Sequence, residues 1–467
     1  MGGQEDGKDV DWKELGLGKR RMDRHRKKTS AKSVPPESPR KKAASSSWYR
    51  RPSTLGLIGA VVIILAAAGG AAALLRRSGG APPAATGTTT AASAATTTSS
   101  SSTDPAVARM SLEEKVGQMM MIGFDGTAPD DSLKKMIQDR HIGAVILYGP
   151  NISSHDQVAQ LDSSLQQLAA QAGQPAQLMI ATDQEGGKTR RFMDIGPNYS
   201  EPFIGSMRGG AGADSATVLS FYAGRGLKDL GINTDLAPVA DVTSGYNSVM
   251  DTRSYGDDPK VTAELVAAAV KGFNDSTTIS CVKHFPGLGS AEDDPEQTLP
   301  TITRDLASIQ STDLPPFQAA IKADVPMIMV GHEAVPALDP AKTPASLSRP
   351  IITGLLRSQL GFQGVIITDD LEMGAITASP GDAAVAAIAA GADMVMFAHT
   401  PAKQQQAYDA IIAAVKSGKL KEDDIDKSVE RILKMKRRYR LEALAAQLSA
   451  GLTGTSTTTT VTTAASP

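Results

Sequence analysis

Residues 364–376 read GVIITDDLEMGAI: a glycine, a run dominated by β-branched apolar side chains, two adjacent carboxylates and a turn. A short apolar run bounded by glycine and polar residues fits a strand buried on both faces, as in parallel sheets. Acidic groups at the C-terminal end of such a strand sit where parallel α/β folds carry their chemistry. Working outward from 365–368 (VIIT), seven more runs of this kind appear: 118–124 (QMMMIGF), 142–148 (IGAVILY), 177–182 (QLMIAT), 233–238 (NTDLAP), 278–284 (TISCVKH), 326–330 (PMIMV) and 393–398 (DMVMFA).

Helical periods separate the runs at 131–139, 155–171, 214–230, 259–274, 314–323, 351–360 and 381–390, and two more follow at 401–416 and 421–437. Strands alternating with helices are βα units. Eight units within residues 105–445 match an α/β fold of the (β/α)8 TIM-barrel type in number and size. An open doubly wound sheet competes, since periodicity alone does not separate the two. The strand ends favour the barrel. Asp183 follows the third run, Asp241 lies just past the fourth, Lys283 and His284 end the fifth, and His332, Asp369 and His399 follow or end the last three. A barrel brings such ends to one mouth.

The first hundred residues are of another kind. The chain has a formal net charge of -2, yet residues 1–54 carry 15 Lys/Arg against 7 Asp/Glu. Residues 55–75, LGLIGAVVIILAAAGGAAALL, contain no charge, and at about 1.5 Å per residue they span roughly 30 Å of hydrocarbon. The expectation is one transmembrane helix, with the basic segment cytoplasmic and the rest of the chain extracytoplasmic. This places the protein at the cell membrane and removes the nucleic-acid arm as the reading of the basic block. Secretion after cleavage is the alternative, although a 54-residue leader is long for a signal. Residues 76–104 are a Ser/Thr/Ala-rich linker and 446–467 a disordered Thr/Ala-rich tail. The single cysteine, Cys281, excludes an intrachain disulfide framework and is expected to be a packing residue.

Five segments in order carry a likeness: DQEGGKTRRF (183–192), LGINTDLAPVADV (230–242), DTRSYGDD (251–258), KHFPGLG (283–289) and GVIITDDLEMGAI (364–376). Together they resemble glycoside hydrolase family 3 in its β-N-acetylhexosaminidase (NagZ-like) branch, from KVGQMMMIGFDG at 115 to SVERILKMK at 428. The resemblance implies a monomeric, cofactor-free and metal-free barrel removing terminal β-linked N-acetylglucosamine by retaining double displacement, with cell-wall glycans as the natural substrate. By motif match Asp369 is the implied nucleophile, and Asp183, Arg191, Arg253, Lys283 and His284 the implied sugar-binding residues. Asp370, next along the strand, points away from Asp369 and is expected to cap the following helix or orient a neighbour.

One segment departs from the family. Where that branch carries an Asp-Ser-His triplet whose histidine is the acid/base, this loop reads KHFPGLGSAEDDPEQTLP (283–300). Asp294 keeps the Asp position, Glu296 stands in place of the histidine and Leu288 replaces an earlier histidine. Three readings are open on sequence. Glu296 is the acid/base with Asp294 in support, its pKa raised by burial or by the like charges of Glu292, Asp293 and Asp294. Alternatively the site acts on activated substrates only, or is a saccharide-binding barrel without turnover. In the third, another loop register puts Asp293 or Asp294 to work. An aldolase-like Schiff base at Lys283 leaves DQEGG and TDDLEM without a role, and His332-Glu333 lacks the second histidine of a helical zinc motif.

Overall fold

The computed structural model describes residues 104–196, 199–207, 210–243 and 248–442. The apolar run 55–75, the segments on either side of it and the tail lie outside them, as do residues 443–445 of the expected barrel. No helix among the described residues is long and apolar enough to cross a membrane.

Eight parallel strands close in sequence order, with β8 pairing back to β1: β1 Met120–Ile122, β2 Ala144–Ile146, β3 Met179–Thr182, β4 Thr234–Asp235, β5 Ile279–Phe285, β6 Met327–Val330, β7 Val365–Asp370 and β8 Met394–Phe397. The open doubly wound alternative is thereby excluded. Every strand residue but one is buried, the exception being the half-buried Asp369 in β7. Barrel interior on one side and helices on the other leave no solvated face, which is why the runs carry no polar alternation.

Most strands are shorter than their apolar runs because pairing stops where the backbone turns out of the mouth. β7 is longer, reaching Asp370, and its pairing with β8 shifts register between Ile367 and Asp370. The expected helices are found to within a few residues, except that the one at 314–323 is extended back to Leu306 through a π-helical stretch, Ile309–Asp313, and that a second segment also differs in kind. Pro350–Gln359 is π-helical: the Leu360 N–H reaches back five residues to the Leu355 carbonyl, and the Ser358 hydroxyl donates to the Thr353 carbonyl.

The final helix, Glu422–Arg438, packs against the N-terminal end of the barrel. Its Lys436 is fully buried and donates to the Gln118 side chain and the Gly143 carbonyl, both at 2.9 Å. No carboxylate accompanies it, and burial lowers its pKa to about 7. A neutral amine has two N–H groups, which matches the two acceptors. Cys281 is buried in β5, where burial pushes the thiol above its usual range, in keeping with a packing role.

Candidate active site

A cavity of about 250 Å³ opens at the C-terminal ends of the strands, and every sequence-derived site residue lines it: Asp183, Arg191, Arg253, Lys283, His284, Asp294, Glu296 and Asp369.

One wall is a charge network. Lys283, the fifth residue of β5, reaches Asp183 at 2.8 Å and Glu185 at 2.7 Å. Arg253 donates from Nε and Nη2 to the two oxygens of Glu185, at 2.9 and 2.7 Å, and Arg191 donates to the second oxygen of Asp183 at 2.9 Å. Burial on its own would raise these carboxyls. The adjacent cations outweigh it, holding Glu185 at about 2 and Asp183 well below the usual range. Both acids are therefore ionised acceptors, and the wall combines acceptors with fixed cationic donors, as polyhydroxylated ligands require.

His284 extends this wall toward Asp369. Its Nδ1 lies 2.7 Å from Asp241, its Nε2 3.5 Å from Arg253 and 3.9 Å from Asp369. The second Asp241 oxygen accepts from the Leu288 N–H, so one buried carboxylate orients the imidazole and starts the loop. Leu288, at the position of a family histidine, is a buried packing residue of the cavity.

Asp369 and Asp370 diverge as strand alternation requires. The Asp369 carboxylate faces the cavity and accepts from the Asp370 N–H at 2.8 Å. Asp370 accepts from the Glu372 and Ala398 N–H groups, tying the turn after β7 to β8. It caps a turn rather than a helix, since the next helix, Pro380–Ala390, begins ten residues later. Its other oxygen lies 3.5 Å from His399, which stacks on Tyr148 with ring centroids 5.3 Å apart.

The loop after β5 is stitched to the turn after β7. Gly374 N–H donates to the Glu296 carbonyl and Ala375 N–H to the Pro295 carbonyl, both at 3.0 Å. A Cβ on Gly374 would stand 2.6 Å from the Gln297 carbonyl oxygen and 2.8 Å from that of Glu296, so this close approach requires glycine. Asp294 accepts the Glu296 N–H at 3.0 Å. This register brings Asp294 and Glu296 to the cavity and leaves Glu292 and Asp293 exposed outside its lining. Partial burial raises the Glu296 pKa, with Asp369 and then Asp294 adding to it. The expected contribution of Glu292 and Asp293 is corrected accordingly: the like charge comes chiefly from across the cavity.

The glycosyl hydrolase family 3 N-terminal domain matches residues 111–435. The chain belongs to this family. It is 36% identical over 329 residues to beta-hexosaminidase A of Pseudoalteromonas piscicida, covering 65% of this chain and 54% of that protein. Among solved structures, a family 3 beta-N-acetylglucosaminidase from Paenibacillus sp. str. FPU-7 is 38% identical with a TM-score of 0.68, covering 71% of this chain and 63% of that one. A beta-N-acetylhexosaminidase from Beutenbergia cavernae DSM 12333 is 29% identical with a TM-score of 0.64, covering 70% of this chain and 98% of that one. This family 3 chain thus spans about half of the first relative and nearly all of the last.

Sequence reasoning missed two residues of the family 3 site. Glu185 lies inside the quoted DQEGG motif, and the i, i+2 spacing from Asp183 was the signal that both face one way. Tyr148 closes the second apolar run, as Asp183 and Asp369 follow theirs. It forms the floor under His399, and the Arg191 guanidinium lies 5.5 Å from its ring centroid.

Proposed function

We propose that the chain is a retaining β-N-acetylhexosaminidase, removing terminal β-linked N-acetylglucosamine with Asp369 as nucleophile and Glu296 as acid/base. The observation that carries the reading is that the two carboxyl groups line one cavity, where burial and then the charge of Asp369 raise the pKa of Glu296. An acid/base in a glycosidase needs this raised pKa, because it must carry a proton when substrate binds. The names of the relatives supply the sugar class.

In the first step an Asp369 oxygen attacks the anomeric carbon, the glycosidic C–O bond breaks, and Glu296 gives its proton to the departing oxygen. Asp183, Glu185, Lys283 and His284 hold the ring hydroxyls so that attack is in line. In the second step the Glu296 carboxylate takes a proton from water, the water oxygen bonds to the anomeric carbon, and Asp369 is released as carboxylate. Arg253 is committed to Glu185 through two hydrogen bonds, so its part is to fix that acceptor as well as to line the site.

The localisation follows from the charge-free run 55–75 and the basic segment before it: the barrel is extracytoplasmic, tethered by residues 76–104, and cell-wall glycans are its natural substrates.

The test is hydrolysis of aryl and natural β-N-acetylglucosaminides by the full-length chain. Asp369→Asn abolishes both reactions. Glu296→Gln slows the natural substrate by about 10²–10⁴-fold and the activated aryl substrate far less, since only a poor leaving group needs the proton. Equal losses on both substrates remove Glu296 from the mechanism. A silent wild type that still binds N-acetylglucosamine makes the barrel a binding module.

A further inference from the structure

We propose that a basic trough on the face opposite the active-site mouth binds a linear, phosphate-bearing polyanion. Two adjoining concavities, of about 370 and 320 Å³, share Arg431 as a common lining residue. On one side lie Arg349, Lys419, Lys421 and Lys427, and on the other Lys434 and Arg438. Both concavities border the chain entering β7 and β8, at residues 361–364 and 388–392, which places the trough at the N-terminal end of the barrel.

The positive charge is in excess after local pairing. Arg431 shares the buried Asp393 carboxylate with Arg357, the eighth cation of the lining, at 2.9 and 2.6 Å. Lys427 pairs with Asp424 and Arg438 with Asp324, and these are the only carboxylates in the lining of either concavity. Three carboxylates thus face eight cations. Among the described residues the side chains of Lys419, Lys421 and Lys434 have no ion-pair or hydrogen-bond partner, and all three residues are exposed. Glu422 and Asp426, on the same helix as Arg431, turn instead to Lys115. This local excess stands out in a chain whose net charge is -2 with 15 of its Lys/Arg in residues 1–54.

The shape selects the ligand class. Two contiguous concavities meeting at one arginine suit a strand carrying regularly spaced charges better than a single anion or a flat bilayer. Arginine and lysine are the natural partners of phosphate oxygens. Phe362, the one aromatic ring in the lining, has the Arg357 guanidinium 5.6 Å from its centroid, so no open stacking platform for bases is presented. The ligand read here is therefore a phosphate backbone without base recognition.

The experiment measures binding of fluorescently labelled long-chain inorganic polyphosphate by the full-length chain in nonionic detergent, by anisotropy across a salt series. Because the basic N-terminal block also attracts polyanions, the reference protein has Lys19, Arg20, Arg21, Arg24, Arg26, Lys27, Lys28, Arg40, Lys41 and Lys42 replaced by Gln. This reference is expected to bind polyphosphate. Adding Lys419→Glu, Lys421→Glu and Lys434→Glu should weaken binding by at least about tenfold and flatten the log K against log salt slope by about 2, at roughly 0.7 per lost contact. The corresponding triple Gln variant should give a smaller loss in the same direction with an unchanged thermal midpoint, separating charge from folding. Loss of all binding in the reference, or no effect of the groove reversals, overturns the proposal. Groove-dependent binding to phosphatidylglycerol vesicles that exceeds binding to polyphosphate overturns it in favour of a membrane-docking surface.

Discussion

His332 Nε2 lies 2.9 Å from the carbonyl oxygen of Asp370, the residue that follows the proposed nucleophile Asp369. A carbonyl only accepts, so this nitrogen carries the proton, and Nδ1 accepts from the Ser346 hydroxyl at 2.7 Å. Burial lowers the pKa of His332 and keeps the imidazole neutral, which this tautomer requires. The ring therefore fixes the peptide that follows Asp370, one residue beyond Asp369, without adding charge to the mouth.

His332→Ala frees that peptide and is expected to reduce kcat by about 10- to 100-fold, because small misplacements of a reacting group are costly. KM should change little, since His332 does not line the cavity. Steady-state kinetics on an aryl substrate check the split. A rise in KM at constant kcat would place His332 in binding.

The raised pKa of Glu296 predicts an alkaline limb of kcat/KM above the ordinary carboxylate range, as the donor stays protonated to higher pH. Asp294→Asn keeps an oxygen for the Glu296 N–H and removes one negative charge. Losing a like charge favours the ionised form, so the limb should move to lower pH. A pH profile that does not move would exclude Asp294 as a contributor.

Gly374→Ala inserts a methyl group into the contact between the turn after β7 and the loop that carries Glu296, the proposed acid/base. The loop must shift, and turnover of substrates with poor leaving groups should fall by at least about tenfold while aryl substrates are spared. Comparing the two substrate classes on one preparation is the measurement. Equal loss on both would mean that the turn, and with it Asp369, has moved instead.

Lys283→Met leaves the buried Asp183 and Glu185 short of their shared cation, and a loss of about 3–5 kcal/mol in urea unfolding is expected. The pH dependence has a definite sign. Glu185 is depressed to about 2 in the folded chain, so its stabilisation is full above the unfolded value of about 4.5 and is lost as pH falls toward 2. In the variant the depression shrinks, so the acid-side loss from Glu185 should still begin near the unfolded value but be smaller and end at a higher pH.

Much of the fold was legible because parallel barrel strands are buried on both faces and announce themselves as apolar runs without alternation. The loops were legible where chemistry sits at strand ends, as with Asp183, Lys283 and Asp369. Pro350–Gln359 was not, since no sequence period distinguishes a π-helix from an α-helix over ten residues. Strand ends were misjudged where, as at β4, pairing covers two residues of a six-residue run.

The sequence by itself determined the eight βα units, the family likeness and the absence of a histidine from 285 to 300, because these depend on residue types and their order, whereas closure of the sheet was settled by the pairing of β8 with β1. Only the tertiary structure decided which carboxylates share cations, since Glu185 meets Arg253 across 68 positions and Lys283 meets Asp183 across 100. It also decided the register of the loop after β5. That register rests on two backbone hydrogen bonds to the turn after β7 and on the space left by Gly374, contacts between distant segments that form only when the barrel closes.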